Sequence, residues 1–144
     1  METAKSTQKV SAEQVRAEVH RYWSVFANKD SEQLADYYAA EASVFSSVSS
    51  RPEPGRLAAA RRQREYFHAK AALRASVGMI DVVLLSDNAA VASYTFQFHA
   101  IRNTGTASQS EENITNGRAS QVFIIDLDGK LRIVHEHLSA LDKH

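Results

Sequence analysis

Three titratable side chains stand in a row at His135-Glu136-His137. Successive side chains of an extended strand point to opposite faces. The two imidazoles therefore share one face with Leu131 and Ile133, and Glu136 shares the other with Arg132, Val134 and Leu138. Histidines at this spacing can hold one metal ion. The hairpin supplies no third ligand, however, and His99 is expected two strands away, roughly 10 Å off. Hydrogen bonds at a packed sheet face or a subunit interface are the preferred role for the pair, and neither metal nor cofactor is expected. Glu136 is the stronger chemical candidate. If its face is the interior one, it is a buried carboxylate with a raised pKa, suited to abstracting a proton near neutral pH. Asp81 interrupts the apolar run Ser76 to Leu85 and is a comparable candidate, with pairing to an arginine or a strand edge as its alternative.

These residues need a sheet to hold them. Asp128-Gly129 lies between two apolar, β-branched runs, and such a pair supplies the positive-φ residues of a tight hairpin turn. Ala89 to Arg102 alternates well, with Ala90, Ala92, Tyr94, Phe96 and Phe98 on one side and Val91, Ser93, Thr95, Gln97 and His99 on the other. The Thr-Gln-His side suits the wall of a cavity with a partly polar guest. Ser76 to Leu85 reads as a strand covered on both faces. Asn103 to Asn113 reads as a polar loop, and Ser43 to Val48 as a short strand.

Helices precede the strands. Ser11 and Gln14 have capping-box spacing, and Val15, Val19, Tyr22 or Trp23, and Phe26 follow at helical intervals. Asp30 with Gln33 opens a short second helix carrying Leu34, Tyr37 and Tyr38. After the Pro52-Glu53-Pro54-Gly55 loop, Arg56 to about Leu73 has strong helix propensity. Helices followed by antiparallel strands make an α+β plan, a curved sheet wrapped around the helices as a cone.

Composition narrows the function. The 144 residues suit one domain, expected over residues 11–141 behind a disordered tail of residues 1–10. Lys and Arg total 17 against 17 Asp and Glu, so no overall field draws nucleic acid or an anionic membrane. The basic residues Arg56, Arg61, Arg62, Arg64 and Lys70 spread around their helix and read as a solvated face. No apolar run is long enough to span a bilayer. The absence of cysteine removes thiolate chemistry and fits a reducing, cytoplasmic setting.

The closing stretch carries a resemblance. Gly117-Arg118-Ala119-Ser120-Gln121-Val122-Phe123, then Asp128-Gly129-Lys130-Leu131-Arg132-Ile133-Val134-His135-Glu136-His137-Leu138-Ser139, resembles the ending of SnoaL-like families in the nuclear-transport-factor-2-like superfamily. It is also similar to the association domain of calcium/calmodulin-dependent protein kinases. The resemblance implies a cystatin-like, nuclear-transport-factor-2-like cone with an internal pocket and commonly a homodimer through the sheet. Its implied functions run from isomerases, dehydratases and polyketide cyclases to noncatalytic binding domains. Leu131 stands where tryptophan is usual, and Leu138, Thr95 and Gln121 stand where the kinase domain has arginines, which speaks against that domain's carboxylate pocket. The kinase comparison puts Thr95, Gln97, Gln121, Glu136 and Leu138 inward, whereas a β-bulge would exchange the faces of the last strand.

The leading expectation is a domain that binds a small organic ligand in the cone, with Tyr22, Phe26, Tyr38, Thr95, Gln97, His99, Gln121, His135 and His137 as candidate contacts. The alternatives are an acid-base enzyme with Glu136 or Asp81 as base, and an oligomerisation module.

Overall fold

Ser11 opens the first helix through both halves of its capping box. Its side chain accepts from the Gln14 amide at 3.1 Å, and its own amide donates to the Gln14 side chain at 3.0 Å. The helix, α1, spans Ala12–Ala27 and buries Val15, Val19, Tyr22, Trp23, Val25 and Phe26. Each such side chain is worth about 1.5–3 kcal/mol when removed from water, so this stripe fixes the rotation of the helix. Lys29, at φ 60°, takes the left-handed conformation that ends it. Asp30 caps the five-residue α2, Ser31–Ala35.

The computed structural model describes residues 9–45, 53–56, 72–103 and 110–140. Among them are seven strands: β1 Tyr38–Phe45, β2 Glu53–Pro54, β3 Ala72–Val77, β4 Asp81–Ser86, β5 Ala89–Asn103, β6 Ser110–Ile125 and β7 Leu131–Ala140. They form one sheet in the order β2-β1-β7-β6-β5-β3, with β4 also paired to β5. The pairing is antiparallel except that β1 runs parallel to β7. Against the all-antiparallel expectation, the sheet is therefore mixed within its α+β class.

Helix α1 packs on β3, β4 and β5. On β5, Ala90, Ala92, Tyr94 and Phe96 are all buried, and Tyr94 and Phe96 meet Trp23 of α1. Trp23 stacks on Phe96 with ring centroids 4.7 Å apart, Phe98 continues the stack, and Phe26 closes on Phe98 at 5.3 Å. The stack depends on Gly117, which lies opposite Phe96 on β6. A Cβ there would sit 2.3 Å from the tip of the Phe96 ring. Glycine is thus the residue that lets this ring lie flat.

Several sequence expectations are corrected. Tyr38 begins β1 instead of extending α2, because the Ile133 amide binds the Tyr37 carbonyl at 2.7 Å and draws the chain into the sheet. Leu73 is a strand residue paired with Ala100, not the end of a helix. The residues 57–71 of that helix, and most of its basic cluster, lie outside the described residues, as do residues 46–52. Glu53–Pro54 forms a two-residue strand at the sheet edge, where a proline costs no ladder hydrogen bond. Ser76 to Leu85 is not one strand covered on both faces: Gly78 to Ile80 divides β3 from β4, and Val83, Leu84 and Leu85 are exposed. Residues 110–113 belong to β6, not to a loop. In the hairpin turn Gly129 alone of the Asp-Gly pair takes positive φ, at 85°, closing on the Asp126 carbonyl at 2.8 Å. Val10, assigned to the tail, is buried, and its amide donates to the Asp87 carbonyl at 2.8 Å.

Gly117→Ala is expected to cost about 1–3 kcal/mol, the range for overpacking a close-fitted core. Because Trp23 is the only tryptophan, its fluorescence and near-ultraviolet dichroism report directly on loss of the Phe96 stack. Unchanged spectra and melting temperature would show that the ring does not need the space.

Candidate functional site

A β-bulge decides which carboxylate faces inward. Val122 pairs with His135 while its neighbour Phe123 pairs with Ile133, which leaves Val134 as an extra residue on β7. Ile133 and Glu136, on opposite faces in simple alternation, are consequently both buried. Glu136 lies opposite Gln121, which in turn lies opposite Ala92 on the inner side of β5. Glu136 is 1% exposed and Gln121 0%.

Hydrogen bonds reach the carboxylate from three elements. Tyr38, at the start of β1, donates to Oε1 at 2.5 Å. Tyr22 of α1 donates to Oε2 at 3.1 Å and lies 2.7 Å from the Tyr38 hydroxyl. Gln121 Nε2 donates to Oε2 at 2.8 Å. Behind Gln121 the chain continues: Tyr94 donates to its Oε1 at 2.7 Å, and Trp23 Nε1 donates to the Tyr94 hydroxyl at 2.9 Å. Burial above all, then the charge of Glu136 and the neighbouring Tyr38, pushes the Tyr22 phenol well above its ordinary range. Burial likewise raises Tyr94, against the opposing Trp23 hydrogen bond. Both phenols therefore remain protonated donors at neutral pH. A hydrogen bond to a charged group is worth about 1.5–3 kcal/mol, and a buried charge stripped of its partners costs about 3–5 kcal/mol. The cluster is stable as a set rather than bond by bond.

Arg132 ties this part of β7 to the segment leading into Tyr38. Its Nε donates to the Asp36 carbonyl at 3.1 Å, while its terminal nitrogens reach Asp128 at 2.8 Å, Asp126 at 3.3 Å and the Asp36 carboxylate at 3.5 Å. Alongside lies an open cleft of about 330 Å³ lined by Gln14, Glu18, Arg21, Asp36, Tyr37, Gly129, Lys130 and Leu131. Tyr37 on its wall meets the Tyr22 ring edge-on at 5.9 Å, which joins the cleft to the outer side of the tyrosine cluster.

The candidate residues divide between the two faces of the sheet. Tyr22, Tyr38, Gln121 and Glu136 come together, and Phe26 is buried in the adjoining aromatic stack. Thr95, Gln97 and His99 occupy the opposite face of β5 from Tyr94 and Phe96, so their expected inward orientation is corrected. Gln97 Nε2 donates to Asn116 Oδ1 at 2.8 Å, and His99 Nε2 lies 3.2 Å from Gln97 Oε1. His135 Nδ1 is 2.8 Å from Ser43 Oγ on that outer face, and His137 is exposed. Asp81 is exposed at the head of β4 and does not interrupt a buried strand. Among the described residues no group of three or more histidines and carboxylates could hold a metal. Tyr94 and Trp23 were not among the candidates. Their signal was the polar tip each carries on an otherwise apolar face, a tip that needs a partner once buried.

Comparison with known proteins agrees with this architecture. Residues 15–143 match the SnoaL-like domain, and the chain belongs to that family; it shares its fold with a nuclear-transport-factor-2-like protein from Salmonella enterica. A proposed calcium/calmodulin-dependent protein kinase II association domain from Xanthomonas campestris is 21% identical, with TM-score 0.78 over 99% of this chain and all of that one. A proposed dehydratase of the NTF2-like family from Streptomyces avermitilis is 15% identical, with TM-score 0.79 over 91% and 96% of the two chains. A protein from Catenulispora acidiphila, solved in complex with S-DNPA, is 16% identical, with TM-score 0.71 over 89% and 91%. Comparison with curated proteins yields no match. Among the described residues no helix is long and apolar enough to cross a membrane.

The Arg132 cluster sets an acid limb of stability. Its hydrogen bond to Asp128, reinforced by the Lys130 amide, lowers that carboxyl below its ordinary range. A carboxylate so depressed stabilises the fold above its unfolded-state value and loses that contribution as pH falls through the folded-state value. The melting temperature of wild type should therefore exceed that of Asp128→Asn at neutral pH, with the gap closing as pH falls from about 5 to about 2. A gap independent of pH would remove the ion pair from the account.

Proposed function

We propose that this chain is a small-molecule-binding domain whose ligand is met by the polar cluster around Glu136. The observation that carries the reading is a carboxylate 1% exposed, held by Tyr22, Tyr38 and Gln121 on the inner side of the sheet. Burying such a group stabilises a fold poorly compared with an apolar side chain of similar volume, so its presence speaks for a task beyond packing. Family membership supports the same reading, as does the small ligand held by the Catenulispora relative. The cleft floored by Tyr37 offers an approach past Tyr22.

The acid-base alternative is favoured by one contact, the 2.5 Å hydrogen bond between Tyr38 and Glu136. In this reading Glu136 takes a proton from carbon or oxygen of the substrate, and Tyr38, re-supplied from Tyr22, gives one to the oxygen that gains charge. The Streptomyces relative described as a dehydratase is consistent with such chemistry. Asp81, in solvent, has no part in it.

Losing a hydrogen bond to a charged group costs about 1.5–3 kcal/mol, so the near-isosteric Glu136→Gln should weaken ligand retention about 10- to 100-fold. The measurement is native mass spectrometry of protein purified from cells. Retention unchanged in the variant would return Glu136 to a packing role. Retention without turnover of a ligand that wild type converts would select the enzyme.

We also propose a single domain that takes in Val10 together with the expected residues 11–141, in a cytoplasmic setting that suits its lack of cysteine. We assign it a homodimer through the outer sheet face, where half-buried Val91 and Val122 sit among Gln97, His99 and His135. Sedimentation should find a dimer that Val122→Glu dissociates. A monomeric wild type would refute it, and a large ring would favour the association-domain reading.

A further inference from the structure

We propose that Trp23 is a positioning residue that holds Glu136 in its ionised form, acting through Tyr94 and Gln121. The inference deepens the reading of Glu136 as the working carboxylate and rests on it for its functional consequence, but its own test is independent of any ligand.

The argument is one of hydrogen-bond polarity. An indole nitrogen donates and cannot accept, so the 2.9 Å contact between Trp23 Nε1 and Tyr94 makes the phenol oxygen an acceptor. The phenol proton is then directed to Gln121 Oε1 at 2.7 Å. With its oxygen engaged, the amide presents Nε2 to Glu136 Oε2 at 2.8 Å. The reversed amide would aim its nitrogen at a Tyr94 oxygen already served by Trp23 and deprive the Tyr94 proton of this acceptor. It would also set oxygen against oxygen at Glu136, which is tolerable only if the carboxyl carries a proton. The donor-only indole therefore selects one direction for the whole chain.

The other side of the carboxylate agrees. Tyr22 and Tyr38 lie 2.7 Å apart, and Tyr38 reaches Oε1 at 2.5 Å. Tyr38 donates to Oε1, and Tyr22 and Gln121 Nε2 both donate to Oε2, so each of these contacts is made by a donor and none requires a proton on the acid. Among the described residues the titratable groups facing Glu136 are Tyr22 of α1, Tyr38 of β1 and Tyr94 of β5, while β6 contributes the neutral Gln121.

Trp23→Phe keeps an aromatic ring against Phe96 and removes the N–H. Tyr94→Phe removes the next link and decides the matter if the first variant does not fold. Glutamate labelled with carbon-13 at the side-chain carboxyl allows infrared titration of the folded proteins, with the Glu136 signal identified by its loss in Glu136→Gln. Wild type should be ionised at neutral pH. In both variants the titration midpoint should rise by about one pH unit or more, a tenfold or greater gain for the protonated form. Phe96→Leu, which disturbs the same packing without touching the chain of donors, should leave the midpoint in place. A protonated Glu136 in neutral wild-type protein overturns the proposal. So do folded Trp23→Phe and Tyr94→Phe proteins with a wild-type midpoint, or an equal shift in Phe96→Leu. If Glu136→Gln retains ligand like wild type while these midpoints move as expected, the binding reading fails and the wiring stands.

Discussion

A carboxylate removed from water constrains everything around it. With Glu136 1% exposed, its two oxygens must be met by donors from the protein, and the donors must arrive from elements distant in sequence. Tyr22 comes from a helix, Tyr38 from the strand at one side of β7, and Gln121 from the strand at the other. The rotation of α1, the parallel placement of β1 beside β7 and the bulge at Val134 are each conditions for that meeting. A shift of one residue in any of them would leave an uncompensated charge, a loss comparable with a sizeable share of a small domain's stability.

Trp23 joins this polar cluster to the apolar core. Its ring stacks on Phe96, and its nitrogen donates to Tyr94 one inward position along the same strand. Gly117, opposite Phe96, provides the space for the stack. Packing and polarity thus meet in one side chain, whose ring lies in the stack and whose nitrogen heads the chain of donors. The aromatic layer sets the positions of hydrogen-bonding groups as well as excluding water.

The elements legible in the sequence were those whose pattern is local. The capping box at Ser11 and Gln14, the stripe of α1, the alternation of β5 and the closing hairpin are all set by neighbours a few residues apart. What was not legible depends on partners far along the chain. Alternation in β5 separates two faces but does not say which is inside, and the half-polar Thr95-Gln97-His99 face turned out to lie away from α1 because Trp23 seats against the aromatic one. Ala72 and Leu73, at the end of a stretch with helical composition, become strand through their pairing with Ile101 and Ala100. The bulge at Val134 has no marker of its own, since valine suits regular strand equally well. Glu136 was therefore identifiable as a candidate, but its parity was decided only by the ladder on either side.

That bulge has a further consequence for the histidines. In regular alternation His135 and His137 would share a face with Ile133, and Glu136 would be opposite. One extra residue leaves Ile133 in the core and exchanges the rest of the strand, so the imidazoles go out and the carboxylate comes in. The same sequence thus supplies an outer face of adaptable donors and acceptors and an inner one of fixed polarity. The outer groups meet partners that can trade roles, as His135 does with Ser43. The inner carboxylate is met by hydroxyls and an amide whose order is imposed by a donor-only indole. Where water has been excluded, that fixed order replaces the reorientation that solvent would otherwise supply, and a group so preorganised is suited to act on a ligand without reorganising first.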